Sequence, residues 1–383
     1  MYKEMKRTEF LFPLDGDVMI GEADGVLCAG GLRVKASVSA PANACVRIAG
    51  MRAAEVQAGI YTADVVLKHG KNLLEAVNET SGERHCITAF FWPEAYHTYR
   101  FTVDDCIRAF ENLHRNRGCY HSIFDDPYLA VFREAHVRYG SHTHMNVFYE
   151  TCDGCFNLSM MTDQYRKEFS ENAGWLTFSF HSHGEFPDRP YENTDAETLL
   201  RDESLVYREL VRIAGDAVRR DTTTIHWGSA NLEGVRSLRK LGYQMLNGYF
   251  VFCHDELELN GSYALGEKVV SYYLSHQQVE NLEHRCAWVD MQEDIAFLRL
   301  HLVLNAANLT ADRVDAELDR IAEDPAASAM IQMVIHEQYF YSDYGAFEPD
   351  YAERILTMAR WMQRHSYRPL NLDIPDIRER NAE

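Results

Sequence analysis

The chain has no excess of positive charge. Its 383 residues carry 38 Lys and Arg against 58 Asp and Glu, a formal net charge of −20. A surface of that sign repels phosphate backbones and anionic headgroups, so neither nucleic acid nor membrane is an expected partner. No run of roughly 18 apolar residues is present, which removes a membrane-spanning helix. The opening Met1–Arg7 is polar and charged and lacks the apolar centre of a secretory signal, so the chain reads as cytoplasmic. No glycine-rich phosphate loop follows a predicted strand and no Gly-x-Ser-x-Gly elbow occurs; this argues against nucleotide chemistry and the α/β-hydrolase arrangement. Nor is there a cysteine framework. The nine cysteines are an odd number, scattered, and Cys28, Cys45, Cys106 and Cys253 fall in apolar segments that suit reduced, buried thiols. Cys152-Asp-Gly-Cys155 is the one close pair, and without a second pair or His partners at matching spacing it reads as a turn.

What is present is a globular composition, 46% hydrophobic and 25% charged, in a chain long enough for two domains. From Phe10 to about Trp92 the pattern is short strands: Val18–Ile20, Leu32–Val38, Cys45–Ile48, Tyr61–Leu67, Asn72–Val77 and Cys86–Phe91. Gly-Gly, Pro-Ala-Asn, His-Gly-Lys-Asn and Ser-Gly-Glu punctuate them, which predicts a small β-sandwich. The run from Val46 through Gly59 to Asn72 resembles bacterial immunoglobulin-like modules. Such a module could bind glycan, cover a neighbouring domain or mediate dimerisation; structural support is the simplest role.

Pro93 marks the boundary, giving domains 1–93 and 94–383. Beyond it strands alternate with helices. Strands are expected at Tyr99–Asp105, Thr143–Tyr149, Trp175–Phe180, Thr222–Ile225, Gln244–Phe252, Met330–Ile335 and Tyr367–Leu372. Helices are expected at Cys106–Arg117, Thr162–Asn172, Asp195–Ala214, Leu232–Leu241 and Pro349–Arg364, with a frayed, charged end at Asp376–Glu383. This alternation predicts a largely parallel sheet, barrel or doubly wound.

Three of these strands run into ionisable residues: Asp104 and Asp105, His181, and His336, with His226 adding a fourth. In a parallel barrel all strand C-termini open on one face, so these residues would converge there. One aspartate suffices to cap the following helix, and two are more than a cap needs. His181 and Glu185 would share a face if the segment were helical, a geometry that chelates a divalent ion; His181 and His183 would do so only if it were extended. His336 is an imidazole placed for general acid work.

Thr102-Val103-Asp104-Asp105, the His181-Ser182 stretch and the closing strand-His-helix-strand order together resemble the polysaccharide deacetylases of the nodulation-factor-deacetylase type. The resemblance covers roughly Tyr99 to Ile374. It implies a distorted (β/α)7 barrel following the β-sandwich, with Asp104 as general base and Asp105 as metal ligand. It also implies His181 as a ligand and, from Val334-Ile335-His336, His336 as general acid. Where the family has its second ligating His this chain has Glu185, so the implied ion, zinc or else nickel, cobalt or manganese, is held by Asp105, His181 and Glu185. Whether Glu185, His183 or His226 completes that set is open. The family's Arg-x-Pro-Tyr motif is replaced by Thr224-Ile225-His226-Trp227-Gly228, while Arg189-Pro190-Tyr191 carries similar residues elsewhere. The family's Asp that orients the acid corresponds to Asp290.

The implied reaction is metal-assisted removal of an acyl group, N-acetyl above all, from a carbohydrate. Candidate substrate-binding residues are His226, Trp227, Arg189, Tyr191 and Tyr339, the aromatic ones placed either to stack on a sugar or to pack in the core. Two other readings stand beside it: hydrolysis of a small non-sugar C–N bond, and a binding or scaffold protein that keeps the barrel without turnover. Homo-oligomerisation is compatible with any of them.

Overall fold

The computed structural model describes residues 7–254, 262–306 and 308–370. The expected charged tail at Asp376–Glu383 and the end of the last strand lie outside them. The chain divides into two compact units, one formed by the chain up to Tyr96 together with Ala287–Asp294, the other by His97–Cys286 and the described chain from Ile295 onward.

The first unit is all β. One sheet runs Glu9–Phe12, Gly31–Ser39, Ile60–Leu67, Ala54–Gln57, with Val26–Cys28 folded back on Gly31–Ser39; the other runs Val18–Met19, Arg84–Phe91, Gly70–Asn78, Val46–Ile48, Met51–Arg52. Pairing is antiparallel except between Val18–Met19 and Arg84–Phe91. Period-2 alternation builds the core. Leu32, Val34, Ala36 and Val38 point inward from one sheet and meet Val46, Ile48, Leu74, Ala76, Ile87 and Ala89 of the other in a single apolar cluster. Tyr61 locks one edge, its hydroxyl donating to Pro41 O and accepting from Ala44 N.

The second unit is mixed α/β. Its parallel strands are β1 (Thr98–Cys106), β2 (Thr143–Phe148), β3 (Leu176–Ser182), β4 (Thr222–Thr223), β5 (Met245–Gly248), β6 (Ile295–Arg299, continued after a bend by Leu302–Val303) and β7 (Met330–His336). One sheet runs β3–β2–β1–β7 and then Leu302–Val303; a second contains β4–β5–β6. A hydrogen bond also crosses from sheet to sheet, Arg220 N donating to Phe178 O, and β6 itself passes from one sheet to the other: Leu300 N, at its bend, still donates to Gly248 O, while Leu302–Val303 pairs with β7. Every residue of β1 is buried, as a parallel strand covered on both faces must be. Helices Pro127–Tyr139, Ala196–Ala214, Leu232–Lys240, Val314–Ala322 and Tyr351–Arg364 cover the strands.

Several expectations are corrected. Pro127–Tyr139 is a full helix that the sequence pattern did not announce, capped by Asp126 on Leu129 N and ended by left-handed Gly140. The helix expected from Thr162 begins only at Arg166, since the Thr162 hydroxyl accepts just Gln164 N and closes a local turn. The strand expected over Gln244–Phe252 breaks after Gly248, where Phe250 adopts φ 51°, and resumes at Val251–Phe252. Cys28 and Cys45 are only half-buried, while Cys106, Cys253 and Cys286 are buried; none of the nine cysteines is in a disulfide. Among the described residues no helix is long and apolar enough to cross a membrane.

Candidate active site

Neighbouring residues on a strand point to opposite faces. Asp104 and Asp105 escape that rule because β1 bulges between them: its pairing with β2 shifts register between Val103 and Cys106, and Asp105 takes a left-handed backbone with φ 62°. The bulge re-aims one side chain, so both carboxylates line one cavity of about 320 Å³ together with His181, His226 and His336. A left-handed residue costs about 1–2 kcal/mol, and Asp is among the residue types that adopt it most readily. Neither aspartate caps the helix Arg108–Arg115, whose first N–H groups go to Glu337.

Around Asp105 the geometry is tight. His181 Nε2 lies 3.0 Å and His226 Nδ1 3.2 Å from Asp105 Oδ1, and the two nitrogens are 3.1 Å apart. The opposite nitrogen of each ring is committed. His181 Nδ1 donates to Thr224 O, and His226 Nε2 donates to Glu185 O at 3.0 Å. That assignment of protons leaves lone pairs on both facing nitrogens and on the carboxylate oxygen. Three acceptors with no donor among them repel, and a cation in their midst resolves the repulsion. Two imidazoles and a carboxylate are also a donor set typical of a divalent transition metal. Gln338 Nε2 holds the other Asp105 oxygen, Oδ2, at 2.7 Å, as a partner of a ligating carboxylate should.

Asp104 sits beside this group with a different character. Burial pushes its carboxyl up, against the pull of His181 and His336. Asn146 Nδ2 donates to its Oδ1 at 2.5 Å, and Asn146 is fixed in turn by Ser179 and Thr223 hydroxyls on its Oδ1. Asp104 and His336 are register partners on adjacent strands. The half-buried His336 ring donates from Nδ1 to Asn305 Oδ1 at 2.7 Å, which leaves Nε2 for chemistry.

The structure thus gathers Asp104, Asp105, His181, His226, His336, Trp227, Glu185 and Tyr339 on one cavity. The ligand group differs from the expected one at a single position. Among the described residues, Asp105, His181 and His226 form the one group of three whose ligand atoms lie within 4.8 Å of one another, and Glu185 is outside it. The physical reason is that β3 continues through Ser182 and the chain then bends, so the helical turn that would have set His181 and Glu185 on one face does not form. His183, the fallback ligand, faces Glu150 at 3.6 Å instead.

Two candidate substrate residues lie elsewhere. Tyr191 is 2% exposed, and its hydroxyl donates to Asp202 and accepts from His183 N, making it a core anchor. Arg189 pairs with Glu267 at 2.7 Å and lies over the Tyr263 ring, outside the lining of this cavity. Asp290 accepts N–H groups of Gln292 and Glu293 in the first unit, and the residue on His336 Nδ1 is Asn305. Sequence reasoning missed Asn305, Asn146 and Tyr249; the Tyr249 hydroxyl is buried without a partner in a residue that lines the cavity. Gln338, only two residues beyond His336, was missed as well.

No protein-family model matches the chain, and no curated protein sequence does. Among solved structures it is similar to a CE4 esterase of Streptococcus mutans, at 10% identity over 72% of this chain and 86% of that one, with a TM-score of 0.35. It is also similar to a proposed α-galactosidase of Bacteroides fragilis, at 10% identity over 89% of this chain and 80% of that one, with a TM-score of 0.27. Likenesses this shallow carry no argument, and the site must be read from its own geometry.

Proposed function

We propose that the chain is a metal-dependent hydrolase that removes acyl groups, N-acetyl first among them, from a carbohydrate. One observation carries the reading: three lone-pair donors meet at 3.0–3.2 Å beside a buried carboxyl and a half-buried imidazole, all on one cavity. We take the two parallel sheets as arcs of one distorted (β/α)7 barrel of polysaccharide deacetylase type, preceded by an immunoglobulin-like β-sandwich, in a cytoplasmic protein.

Asp105, His181 and His226 would hold a divalent ion, zinc by preference for their mixed nitrogen and oxygen donors, with nickel, cobalt or manganese as alternatives. When bound, such an ion polarises the acyl carbonyl and acidifies water. Asp104 takes the proton of the attacking water; burial makes this carboxylate more basic than usual, and Asn146 keeps it oriented. His336 gives a proton to the leaving nitrogen from Nε2 while Asn305 holds Nδ1–H. Trp227, Tyr249 and Tyr339 offer ring faces to a sugar from the cavity wall.

The test is to load the purified protein with zinc, cobalt, nickel or manganese and assay it on acetylated sugars and on small amides, with Asp104→Asn as control. Release of acetate that needs both the ion and Asp104 supports the proposal; no hydrolysis of any substrate by fully loaded protein overturns it. A second reading, cleavage of a small non-sugar C–N bond, draws support from the cavity volume of about 320 Å³, which suits a small ligand better than a polymer chain. The small-amide arm of the screen separates the two.

A further inference from the structure

The interior of the parallel strands is polar at the end opposite the site. Arg100 stands on β1 four residues before Asp104 and is 4% exposed. Its Nη1 donates to Asn247 Oδ1 at 2.6 Å, while Nε and Nη2 are buried with no partner. Thr143, at the start of β2 and 2% exposed, likewise keeps a buried hydroxyl without a partner. Both residues line a small cavity of about 30 Å³ near the beginnings of β1, β2 and β3, shared with His142, His144 and Arg220. On such a measure a water needs roughly 10–15 Å³, so the space admits an ion of a few atoms and excludes a metabolite.

The electrostatics of this cavity are one-sided. No carboxylate is among its described lining residues. His144 is spent on hydroxyls, Nδ1 against Thr177 and Nε2 against Ser179, and burial together with the Arg100 charge holds it well below the usual imidazole range, hence neutral. Arg220 donates to the carbonyls of Ala173, Ala217 and Arg219, which orient its guanidinium. A buried guanidinium with unspent N–H groups is costly unless something accepts them. In a chain of net charge −20, a buried Arg100 facing a cavity with no carboxylate among its described lining residues is a local inversion of the field.

We propose that this basal cavity binds a small inorganic anion, phosphate or chloride, held by Arg100 Nε and Nη2 and by the Thr143 hydroxyl. Charge-assisted hydrogen bonds from a guanidinium are the strong class of such contacts. The site is separate from the Asp105 group and does not depend on the hydrolase reading.

The experiment is thermal unfolding of the full chain against rising sodium phosphate or sodium chloride at constant ionic strength. We expect a saturating rise of roughly 2–4 °C with at least one anion in the unaltered chain. The rise persists in Asp105→Ala, which excludes anion capture at the other site, and disappears in Thr143→Val and Arg100→Gln. Should Arg100→Gln fail to fold, the near-isosteric Thr143→Val still decides. A flat response to both anions, meaning a cavity filled by water alone, overturns the proposal. A rise that is lost in Asp105→Ala but kept in Thr143→Val overturns it equally.

Discussion

Glu337 Oε2 accepts the backbone N–H of Ile107 at 2.6 Å. The same carboxylate takes the N–H groups of Arg108 at 2.7 Å and Ala109 at 2.9 Å. A helix that begins without a side-chain cap of its own is therefore capped from β7's end, more than two hundred residues along the chain. That arrangement frees the two aspartates just before the helix. Had either of them supplied the cap, its oxygens would have been turned to the helix and away from the cavity.

Glu337→Gln should cost about 1–3 kcal/mol of stability, because an amide offers one acceptor oxygen and places N–H groups against N–H groups. Burial pushes the Glu337 carboxyl from 4.5 up to about 7, against the pull of its three N–H donors. The folded chain then keeps a proton up to about pH 7 that the unfolded chain releases near 4.5. Folded protein binds more protons between those values, so stability contributed by this group falls as pH rises through the window, by up to about 3 kcal/mol. Urea unfolding at pH 5 and pH 7.5 should show that decline in the unaltered chain and its loss in Glu337→Gln.

Asp105→Asn should fold normally yet lose the ion, since Asn tolerates the left-handed backbone but brings no charge. Asp105→Val should lose the ion and also stability, by about 1–2 kcal/mol, because a β-branched residue resists φ 62°. Elemental analysis and melting temperature, read together, separate the two effects. Equal stability of the two variants would falsify the claim that the backbone here is demanding.

His226→Ala should weaken binding of the ion at least tenfold, whereas Glu185→Gln should leave it nearly unchanged, because only the former removes a ligand atom from the group. Competition with a colorimetric chelator measures both. The opposite ranking restores Glu185 as the ligand and removes His226.

Asn305→Ala should lower kcat roughly tenfold or more with the ion retained, as His336 loses the acceptor that orients its ring. Asn305→Asp should recover turnover and move the alkaline limb of the pH profile upward, because a carboxylate favours the protonated imidazole. A residue that merely supports the fold would shift neither limb.

Tyr191→Phe should leave KM untouched and cost about 1 kcal/mol of stability, the worth of its buried hydrogen bonds to Asp202 and His183. A raised KM with unchanged stability would return Tyr191 to the substrate.

Much of this was legible in the residues. The long strands of the first unit declared themselves by alternation, as Leu32, Val34, Ala36 and Val38 show between Arg33, Lys35 and Ser37, whereas the short strands Glu9–Phe12, Val26–Cys28, Met51–Arg52 and Ala54–Gln57 did not. β1 and β7 were readable as apolar runs ending in ionisable groups, and their side-by-side pairing brings Asp104 against His336. What stayed hidden depends on long-range pairing. Asn305 finds His336, Gln338 finds Asp105 and Asn146 finds Asp104 across distances in sequence that carry no local signal. The bulge at Asp105 was hidden for the same reason, being a property of β1 against β2. Glu185, which the resemblance put at the second ligand position, lines the cavity but falls outside the group of three, because the chain bends after the strand ends at Ser182.

The positive φ at Asp105 also restricts how this protein can change over generations. Aspartate, asparagine and glycine tolerate that conformation cheaply; most other side chains unsettle the strand that carries it. A descendant that abandoned the chemistry while keeping its architecture would therefore be expected to show asparagine or glycine there. Among distant kin, that single letter would distinguish working copies from retired ones more reliably than any count of shared histidines.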